Sequence, residues 1–441
     1  MKENLSPKEI KYIKRRLARN IRRAIEGVFS VAVISGARQV GKSTMIQNEF
    51  QDFAYYTLDD YETVDLLRTD PEFIFKKSDR IVIDEVQKYP DILNTVKLAV
   101  DRDKNKKVIL SGSSNILLMK NVSETLAGRA AYFELLPMTY GEYKGIETPN
   151  NFLNLWKGEK ANIEENAQCS DSTNGNKNNT NTNTNTNYNG DGNCIVDTEG
   201  LMLKGFMPAN ITRKSNEDVL MWMDAYIKTY LERDLRQLSQ IESLIDFRKL
   251  MQVLALRTAN ILKQSEVAKD SGLSPATTYR YIKLLEVSNI IERVPSFFTN
   301  RVKRVIKSPK IFFIDVGLAV FLSGYYDKES LLKAREYGSF FETMVFLHLK
   351  SLCNTLTPQA KLYYFRTTSQ KEVDFIIEHG NKILAIEVKA KESPKLRDVK
   401  NLVYFMDNHP ETVLGLVLHK GNEIKWLTSK ILSVPWWWLE G

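Results

Sequence analysis

Short apolar runs separated by helix-like stretches mark the first part of the chain. Residues 31–34, 80–84 and 107–110 each centre on consecutive Val, Ile or Leu residues, and residues 131–136 form a further strand-like run. Continuous apolar runs are typical of parallel strands that are buried on both faces. Strands that alternate with helices predict an α/β fold class for this region.

A glycine-rich loop, residues 36–44, directly follows the first of these strands, and a helix is expected after it. Glycines allow successive backbone N–H groups to point at a polyphosphate, and the helix amino terminus adds partial positive charge. Lys42 can then reach the β and γ phosphates, and the Ser43 hydroxyl can bind Mg²⁺. The residues expected to bind the nucleotide are Gly36, Ala37, Arg38, Gln39, Val40, Gly41, Lys42, Ser43 and Thr44.

Four further residues fit the same chemistry. Asp84 and Glu85 end the second strand, where P-loop enzymes place an acid that holds the Mg²⁺ water shell and a glutamate that polarises the attacking water. Ser113 follows the third strand and is expected to hydrogen-bond the γ phosphate or the water, although Ser-Gly-Ser is also common turn chemistry. Arg129 precedes the next strand. It is either a finger that reaches a neighbour's nucleotide or a surface arginine in a turn.

These segments together resemble a known family. Gly-Ala-Arg-Gln-Val-Gly-Lys-Ser-Thr, Ile-Asp-Glu-Val-Gln, Ser-Gly-Ser-Ser, Leu-Ala-Gly-Arg and Leu-Pro-Met-Thr-Tyr-Gly-Glu resemble a prokaryotic AAA-type ATPase family whose members carry a C-terminal domain of uncharacterised function. The resemblance spans nearly the whole chain. It implies ATP and Mg²⁺ as cofactors, Ser113 as a sensor, and a homo-oligomer in which Arg129 acts between subunits. The residues to which it assigns ATP hydrolysis are Lys42, Ser43, Asp84 and Glu85.

The chain divides into four parts on composition and pattern. The AAA-type P-loop ATPase domain is expected over residues 1–145, and residues 146–200 form a linker with an Asn/Thr-rich insertion. The insertion has almost nothing to bury and cannot offset its ordering entropy, so it is predicted to be disordered. A helical and winged-helix domain, residues 201–330, and a nuclease-like domain, residues 331–441, follow.

The winged-helix prediction rests on three helices at 247–257, 263–270 and 275–287, the last capped by Ser274, with strands near 290–294 and 310–314. In this architecture the third helix enters a DNA major groove and the wing contacts phosphates. The alternative is a winged helix that binds only protein partners; we favour DNA binding. The residues expected to face outward on the helix are Thr277, Thr278, Arg280 and Lys283. Those of the wing are Arg301, Lys303, Arg304 and Lys307.

The last part resembles the PD-(D/E)xK nuclease superfamily. Asp374 lies on one predicted strand, and Glu387 and Lys389 lie on the next, two residues apart and therefore on one face. Two carboxylates can hold Mg²⁺ while the lysine orients a water, and Glu342 adds a ligand from the preceding helix. The alternatives are a charged strand face, and a nuclease-like fold that binds DNA without cutting it.

A two-residue turn at Gly380 and Asn381 predicts the register of this hairpin. If His379 pairs with Lys382, counting outward places Phe375 opposite Ile386, Val373 opposite Val388 and Asp374 opposite Glu387. The two carboxylates then repel unless a cation lies between them. Asp374, Glu387 and Lys389 are therefore the expected catalytic residues, and Glu342, Asp374 and Glu387 the expected metal ligands.

Composition and charge limit the classes of function that fit this chain. There are 62 Lys and Arg residues against 54 Asp and Glu, a net charge of +8 that is compatible with nucleic acid. No apolar run reaches membrane-spanning length and no signal-peptide core is present, so a cytoplasmic protein without membrane contact is expected. The leading hypothesis is an ATP-hydrolysing protein that acts on DNA. Its alternatives are an ATP-gated DNA-binding regulator that does not cleave, and a signalling ATPase that binds only protein partners.

Overall fold

The computed structural model describes residues 12–112, 125–157, 194–234, 241–299 and 307–441, together with 187–188 and 304. The strands are β1 Val31–Ser35, β2 Ala54–Thr57, β3 Arg80–Asp84, β4 Lys107–Ser111, β5 Ala130–Glu134, β6 Asn187–Tyr188, β7 Cys194–Ile195, β8 Asn260–Ile261, β9 Ile291–Val294, β10 Lys310–Phe313, β11 Lys361–Arg366, β12 Glu372–His379, β13 Lys382–Lys389, β14 Thr412–His419, β15 Lys425–Thr428 and β16 Ile431–Pro435.

The helices are Arg16–Gly27, Lys42–Glu49, Tyr61–Thr69, Phe73–Lys77, Ile92–Arg102, Tyr140–Tyr143, Asn150–Lys157, Thr198–Lys204, Pro208–Ile211, Asn216–Tyr226, Leu244–Leu256, Gln264–Ser271, Pro275–Val287, Val316–Leu322, Lys328–Leu332, Tyr337–Cys353 and Lys400–Asn408. A π-helix spans Ile227–Asp234, and 3₁₀ turns span Val86–Lys88, Leu396–Val399 and Trp438–Glu440. Within the described part of the chain, no helix is both long and apolar enough to cross a membrane.

The amino-terminal sheet is fully parallel, with strand order β2-β3-β4-β1-β5. Its strands alternate their side chains between two apolar clusters, so Ala32 and Ile34 pack on one face and Val31 and Val33 on the other. Both faces are covered, which explains why the runs are apolar throughout. The predicted parallel α/β sheet is confirmed.

The three central helices Leu244–Leu256, Gln264–Ser271 and Pro275–Val287 lie where the sequence predicts them, and the Ser274 hydroxyl accepts a 3.1 Å hydrogen bond from the backbone N–H of Thr277. An antiparallel sheet of order β8-β10-β9 accompanies them, with β8 between the first two helices and β9 and β10 after the third.

The prediction for Thr278 is wrong, because this side chain is fully buried instead of facing outward. Thr278 lies three and four residues before Tyr281 and Ile282, which are buried, and so belongs to the same helical stripe.

The carboxy-terminal sheet is mixed, with order β11-β12-β13-β14-β16-β15. The hairpin register is confirmed as far as Phe375 opposite Ile386, where the β12–β13 ladder ends. The pairs predicted beyond it, Val373 with Val388 and Asp374 with Glu387, do not continue the ladder. A bulge on β12, opposite Tyr363 to Phe365 of β11, is the reason. It turns Val373 to the opposite apolar cluster from Phe375.

The largest apolar cluster runs through all three folded regions. It joins the helix Arg16–Gly27, the central helices and one face of the carboxy-terminal sheet. Trp436 and Trp438 are buried in it, and the Trp436 indole N–H donates a 3.1 Å hydrogen bond to the Thr198 hydroxyl. The regions therefore share a continuous core.

Candidate functional site

Two glycines of the glycine-rich loop have backbone conformations that favour glycine. Gly36 has a φ of +148° and Gly41 a φ of +90°, and a Cβ at Gly36 would lie 2.3 Å from the carbonyl oxygen of Leu135. Lys42 folds over the loop and its ammonium donates to the carbonyls of Gly36, at 2.9 Å, and Ala37, at 3.0 Å. This curled backbone ahead of the helix Lys42–Glu49 fits the cradle expected for a polyphosphate.

Lys42 is poorly solvated. Burial lowers the pKa of its ammonium to about 8, although the neighbouring carboxylates of Glu85 and Asp84 act in the opposite direction. A buried cation gains strongly from an added anion. Lys42 therefore fits the predicted role of a phosphate ligand.

Tyr55, which the sequence does not single out, joins the two predicted Mg²⁺ ligands. Its hydroxyl donates a 2.5 Å hydrogen bond to Asp84 Oδ2 and is also hydrogen-bonded to Ser43. Burial and the Asp84 carboxylate raise the pKa of Tyr55, which keeps its hydroxyl protonated. Ser43 and Asp84 are thus brought together at one edge of the sheet, as the sequence predicts.

Glu85 is held in a strained backbone conformation. Its φ of +58° lies in the left-handed region, which costs a non-glycine residue on the order of 1 kcal/mol. Its N–H donates to Asp84 Oδ1 at 3.0 Å, and the Gln87 amide donates to its carboxylate. Burial, assisted by the nearby Asp84 carboxylate, raises the pKa of Glu85. These properties suit a group that accepts a hydrogen bond from water.

The predicted sensor Ser113 lies outside the described residues. Ser111 lies two positions earlier, at the end of β4, between β1 and β3. Its hydroxyl is buried and has no hydrogen-bond partner among the described residues. Ser111 is therefore a second polar candidate at this strand end, and its position there was the signal that could have identified it.

Arg15 holds the glycine-rich loop through hydrogen bonds and was not identified from the sequence. Its side chain is only 5% exposed and donates to the carbonyls of Val40, at 2.8 Å, and Leu136, at 2.6 Å. Its Nε lies 3.2 Å from a carboxylate oxygen of Glu142. Arg15 thus ties the glycine-rich loop to the Leu-Pro-Met-Thr-Tyr-Gly-Glu segment.

The helix Asn216–Tyr226 and the π-helix that continues it contact the glycine-rich loop. The Tyr226 hydroxyl donates a 3.3 Å hydrogen bond to the carbonyl of Arg38, and the Arg38 guanidinium lies 5.7 Å from the centre of the Tyr230 ring. These two contacts connect the loop to the segment that follows Asn216.

Arg129 forms an ion pair within its own chain. Its guanidinium binds both carboxylate oxygens of Asp101, at 2.6 and 2.9 Å, and its side chain is 33% exposed. Exposed pairs of this kind contribute little to stability because solvent screens them.

The residues predicted for the carboxy-terminal site lie near one another, although Asp374 and Glu387 do not pair in the ladder as predicted. The Lys389 ammonium lies 2.5 Å from Glu387 Oε1, and the backbone N–H of Val388 donates to Asp374 Oδ2 at 2.8 Å. The bulge on β12 allows this second bond, because the Asp374 side chain now accepts from an N–H that the predicted ladder would have paired with backbone.

A buried lysine that the sequence did not indicate lies among these carboxylates. The Lys310 ammonium, from β10, is 2.9 Å from Glu342, 2.7 Å from Glu372 and 3.8 Å from Asp374. Burial raises the pKa of Glu342 to about 8 and that of Glu387 to about 8, with Asp374 as a further cause in each case. We call Glu342, Glu372, Asp374 and Glu387 the carboxylate cluster.

The three metal ligands predicted in the carboxy-terminal region, Glu342, Asp374 and Glu387, do not form a metal site as they stand. Among the described residues, no three Asp, Glu, His or Cys side chains are arranged to hold a metal ion. The carboxylate cluster surrounds an ammonium instead.

The predicted DNA-contacting residues have mixed surroundings. Arg280 and Lys283 are exposed on the helix Pro275–Val287, and Tyr279 beside them is 54% exposed. Arg304 of the predicted wing instead binds Glu378 through two hydrogen bonds, at 2.7 and 3.1 Å, while Lys307 is exposed. Arg301 and Lys303 lie outside the described residues. A cleft of about 520 Å³ lies between the central region, which contributes Arg293, Arg304 and Lys307 to its lining, and the carboxy-terminal region, which contributes Lys361. Four cations therefore line this cleft.

Three family models match the chain. Residues 28–144 match an AAA domain, residues 196–329 match a domain of unknown function (DUF8612), and residues 337–439 match a domain of unknown function (DUF4143). The uncharacterized proteins Mb2031c of Mycobacterium bovis and Rv2008c of Mycobacterium tuberculosis are each 28% identical over 386 residues, which cover 87% of this chain and 75% of each relative.

A more distant relative is the uncharacterized protein MJ1544 of Methanocaldococcus jannaschii, 22% identical over 391 residues that cover 84% of this chain and 77% of the relative. Among solved structures, the Walker-type ATPase paby2304 of Pyrococcus abyssi covers 72% of this chain and 99% of its own, with 14% identity and a TM-score of 0.43. The AAA-domain match and the geometry of the glycine-rich loop together support a P-loop ATPase domain over residues 28–144.

Proposed function

We propose that this protein binds and hydrolyses ATP with Mg²⁺ and uses the cycle to control its assembly or its engagement with DNA. The observation that carries the ATPase part is the meeting of Lys42, Ser43, Asp84 and Glu85 at one edge of the parallel sheet. Lys42 would hold the β and γ phosphates, Ser43 and Asp84 the metal, and Glu85 the attacking water. ATP would supply the free energy, and Mg²⁺ would neutralise phosphate charge.

Action on DNA is supported by the central domain. We take the helix Pro275–Val287 as the recognition helix of a winged helix, because it presents Tyr279, Arg280 and Lys283 to solvent. The basic cleft beside it would accept phosphates. Because Tyr226 and Arg38 connect the central domain to the glycine-rich loop, nucleotide binding has a physical route to this surface.

Assembly enters through Arg129. We propose that it acts as a finger on the nucleotide of a neighbouring copy, which requires it to leave Asp101. The exposed pair with Asp101 is weak enough for a phosphate to replace it.

We further propose a restriction-endonuclease-like fold for the carboxy-terminal domain, with Asp374, Glu387 and Lys389 at its site. Because Lys310 fills the carboxylate cluster, this arrangement favours a regulator that binds DNA without cleaving it. A Mg²⁺-dependent nuclease is the second candidate, supported by the convergence of the three residues on adjacent strands.

Plasmid nicking with Mg²⁺, with and without ATP, separates these two candidates. A regulator leaves supercoiled plasmid intact under all conditions while still binding it. Nicking that Asp374→Asn abolishes would establish the nuclease and remove the regulator.

A further inference from the structure

Lys310 is an internal cation at the junction of the central and carboxy-terminal domains. It is 2% exposed, and its backbone belongs to β10, which pairs with β9 and β8 of the central sheet. Its side chain crosses to the carboxylate cluster, with nearest oxygens on Glu372 at 2.7 Å and on Glu342 at 2.9 Å. Burial acts to lower the pKa of Lys310, but the surrounding carboxylates outweigh it and raise the pKa above its ordinary value.

Lys310 lies in a crowded set of acidic and basic side chains. Four carboxyl groups meet three cations there, since Lys389 pairs with Glu387 and Arg366 lies 3.4 Å from Glu372. Glu387 is 5% exposed, and its Oε2 is buried without a hydrogen-bond partner among the described residues. A buried carboxylate oxygen without a donor is costly, and it is the kind of oxygen that a hard cation takes as a ligand.

An ammonium and a divalent ion cannot share this space. An ammonium is held by donated hydrogen bonds at about 2.7–3 Å, whereas Mg²⁺ and Ca²⁺ draw carboxylate oxygens to about 2.0–2.6 Å. Two cations among the same few carboxylates would also repel each other.

We propose that Lys310 takes the place of a divalent metal ion in the carboxylate cluster, so that Lys310 and the metal exclude each other. This inference rests on the proposed nuclease-like site and names its regulation. Lys310 lies on the strand that pairs with β9, and β9 directly follows the helix Pro275–Val287. If the helix Pro275–Val287, which we propose contacts DNA, moved away from the carboxy-terminal sheet together with β9 and β10, Lys310 would be withdrawn from the carboxylate cluster.

The test measures Mn²⁺ binding to the full-length protein without nucleotide or DNA. The paramagnetic resonance signal of free Mn²⁺ reports how much metal is bound, and the melting temperature reports how much the metal stabilises the protein. Lys310→Met should show one Mn²⁺ site more than the parent protein, with an affinity at least tenfold above any binding of the parent at this cluster. Mn²⁺ should also raise the melting temperature of this variant. Lys310→Arg, which keeps the charge, should behave like the parent. Adding Asp374→Asn to Lys310→Met should remove the new site.

Lys310→Met leaves carboxylates without a counter-ion and can fail to fold. Lys310→Met combined with Glu372→Gln removes one of those charges while keeping Glu342, Asp374 and Glu387, and it should show the same gain. If neither variant gains an Asp374-dependent Mn²⁺ site, Lys310 does not replace a metal. If the parent already binds Mn²⁺ tightly through Asp374, the two cations coexist and the exclusion is wrong. Neither result depends on nicking or DNA binding, which test the proposed function separately.

Discussion

The backbone N–H of Tyr140 donates a 3.0 Å hydrogen bond to Nε2 of His348, so one imidazole joins the ATPase domain to the helix Tyr337–Cys353. The other ring nitrogen, Nδ1, lies 2.8 Å from the carbonyl of Met344 and donates to it. These two hydrogen bonds require a neutral imidazole whose proton is on Nδ1. Burial, the main cause, lowers the pKa of His348 to about 4.

A neutral buried histidine predicts loss of stability in acid. Between about pH 6.5 and 4 the unfolded chain protonates this histidine while the folded chain does not, so folding is favoured above pH 6.5 and disfavoured as the pH falls. The full effect is on the order of 3 kcal/mol. The melting temperature of the parent should therefore fall more steeply over this range than that of His348→Gln, which keeps a hydrogen-bonding side chain but cannot titrate. Parallel curves would show that His348 does not remain neutral.

Two substitutions separate nucleotide binding from hydrolysis. Lys42→Ala removes the phosphate ligand and should weaken binding of a fluorescent ATP analogue at least tenfold. Glu85→Gln keeps the shape but removes the base, so it should bind ATP like the parent and release phosphate at least a hundredfold more slowly. Parental turnover in Glu85→Gln would rule out Glu85 as the group that polarises water.

Mixing two inactive variants tests the role of Arg129. Arg129→Ala lacks the finger and Glu85→Gln lacks the base, so each should hydrolyse ATP slowly alone. If Arg129 acts between subunits, mixed assemblies place an intact finger beside an intact base, and phosphate release should exceed the sum of the two. Asp101→Asn, which only frees Arg129, should keep at least parental activity. A mixture that never exceeds the sum would confine Arg129 to its own chain.

Local patterns explain what the sequence could predict. Gly36, Lys42 and Ser43 belong to one loop and the start of the helix that follows it. Because these residues are close in sequence, their order alone predicts the local backbone geometry. The end of β3 meets the same edge because neighbouring strands are parallel. The two-residue turn after His379 likewise determines the first pairs of the hairpin.

Long-range contacts explain what the sequence could not predict. Arg15 reaches Val40 across 25 positions, and Lys310 reaches Glu372 across 62, so no periodicity reports either contact. The bulge on β12 adds one residue to a ladder, which counting outward from the turn cannot detect. Thr278 looked exposed by its polarity, yet its place on the helix buries it.

ATP-dependent binding to duplex DNA tests the central claim most directly. Glu85→Gln should be titrated against a fluorescent duplex with and without Mg²⁺-ATP over a range of salt, beside the same protein carrying Arg280→Ala and Lys283→Ala. An equal loss of charge in Lys328→Ala and Lys333→Ala provides the control. We predict at least tenfold tighter binding with ATP, and a salt slope that falls in magnitude by about 2 only in the Arg280 and Lys283 variant. DNA binding that is absent at low salt, or unchanged by ATP and by both charge variants, would contradict the account and favour a signalling ATPase with protein partners.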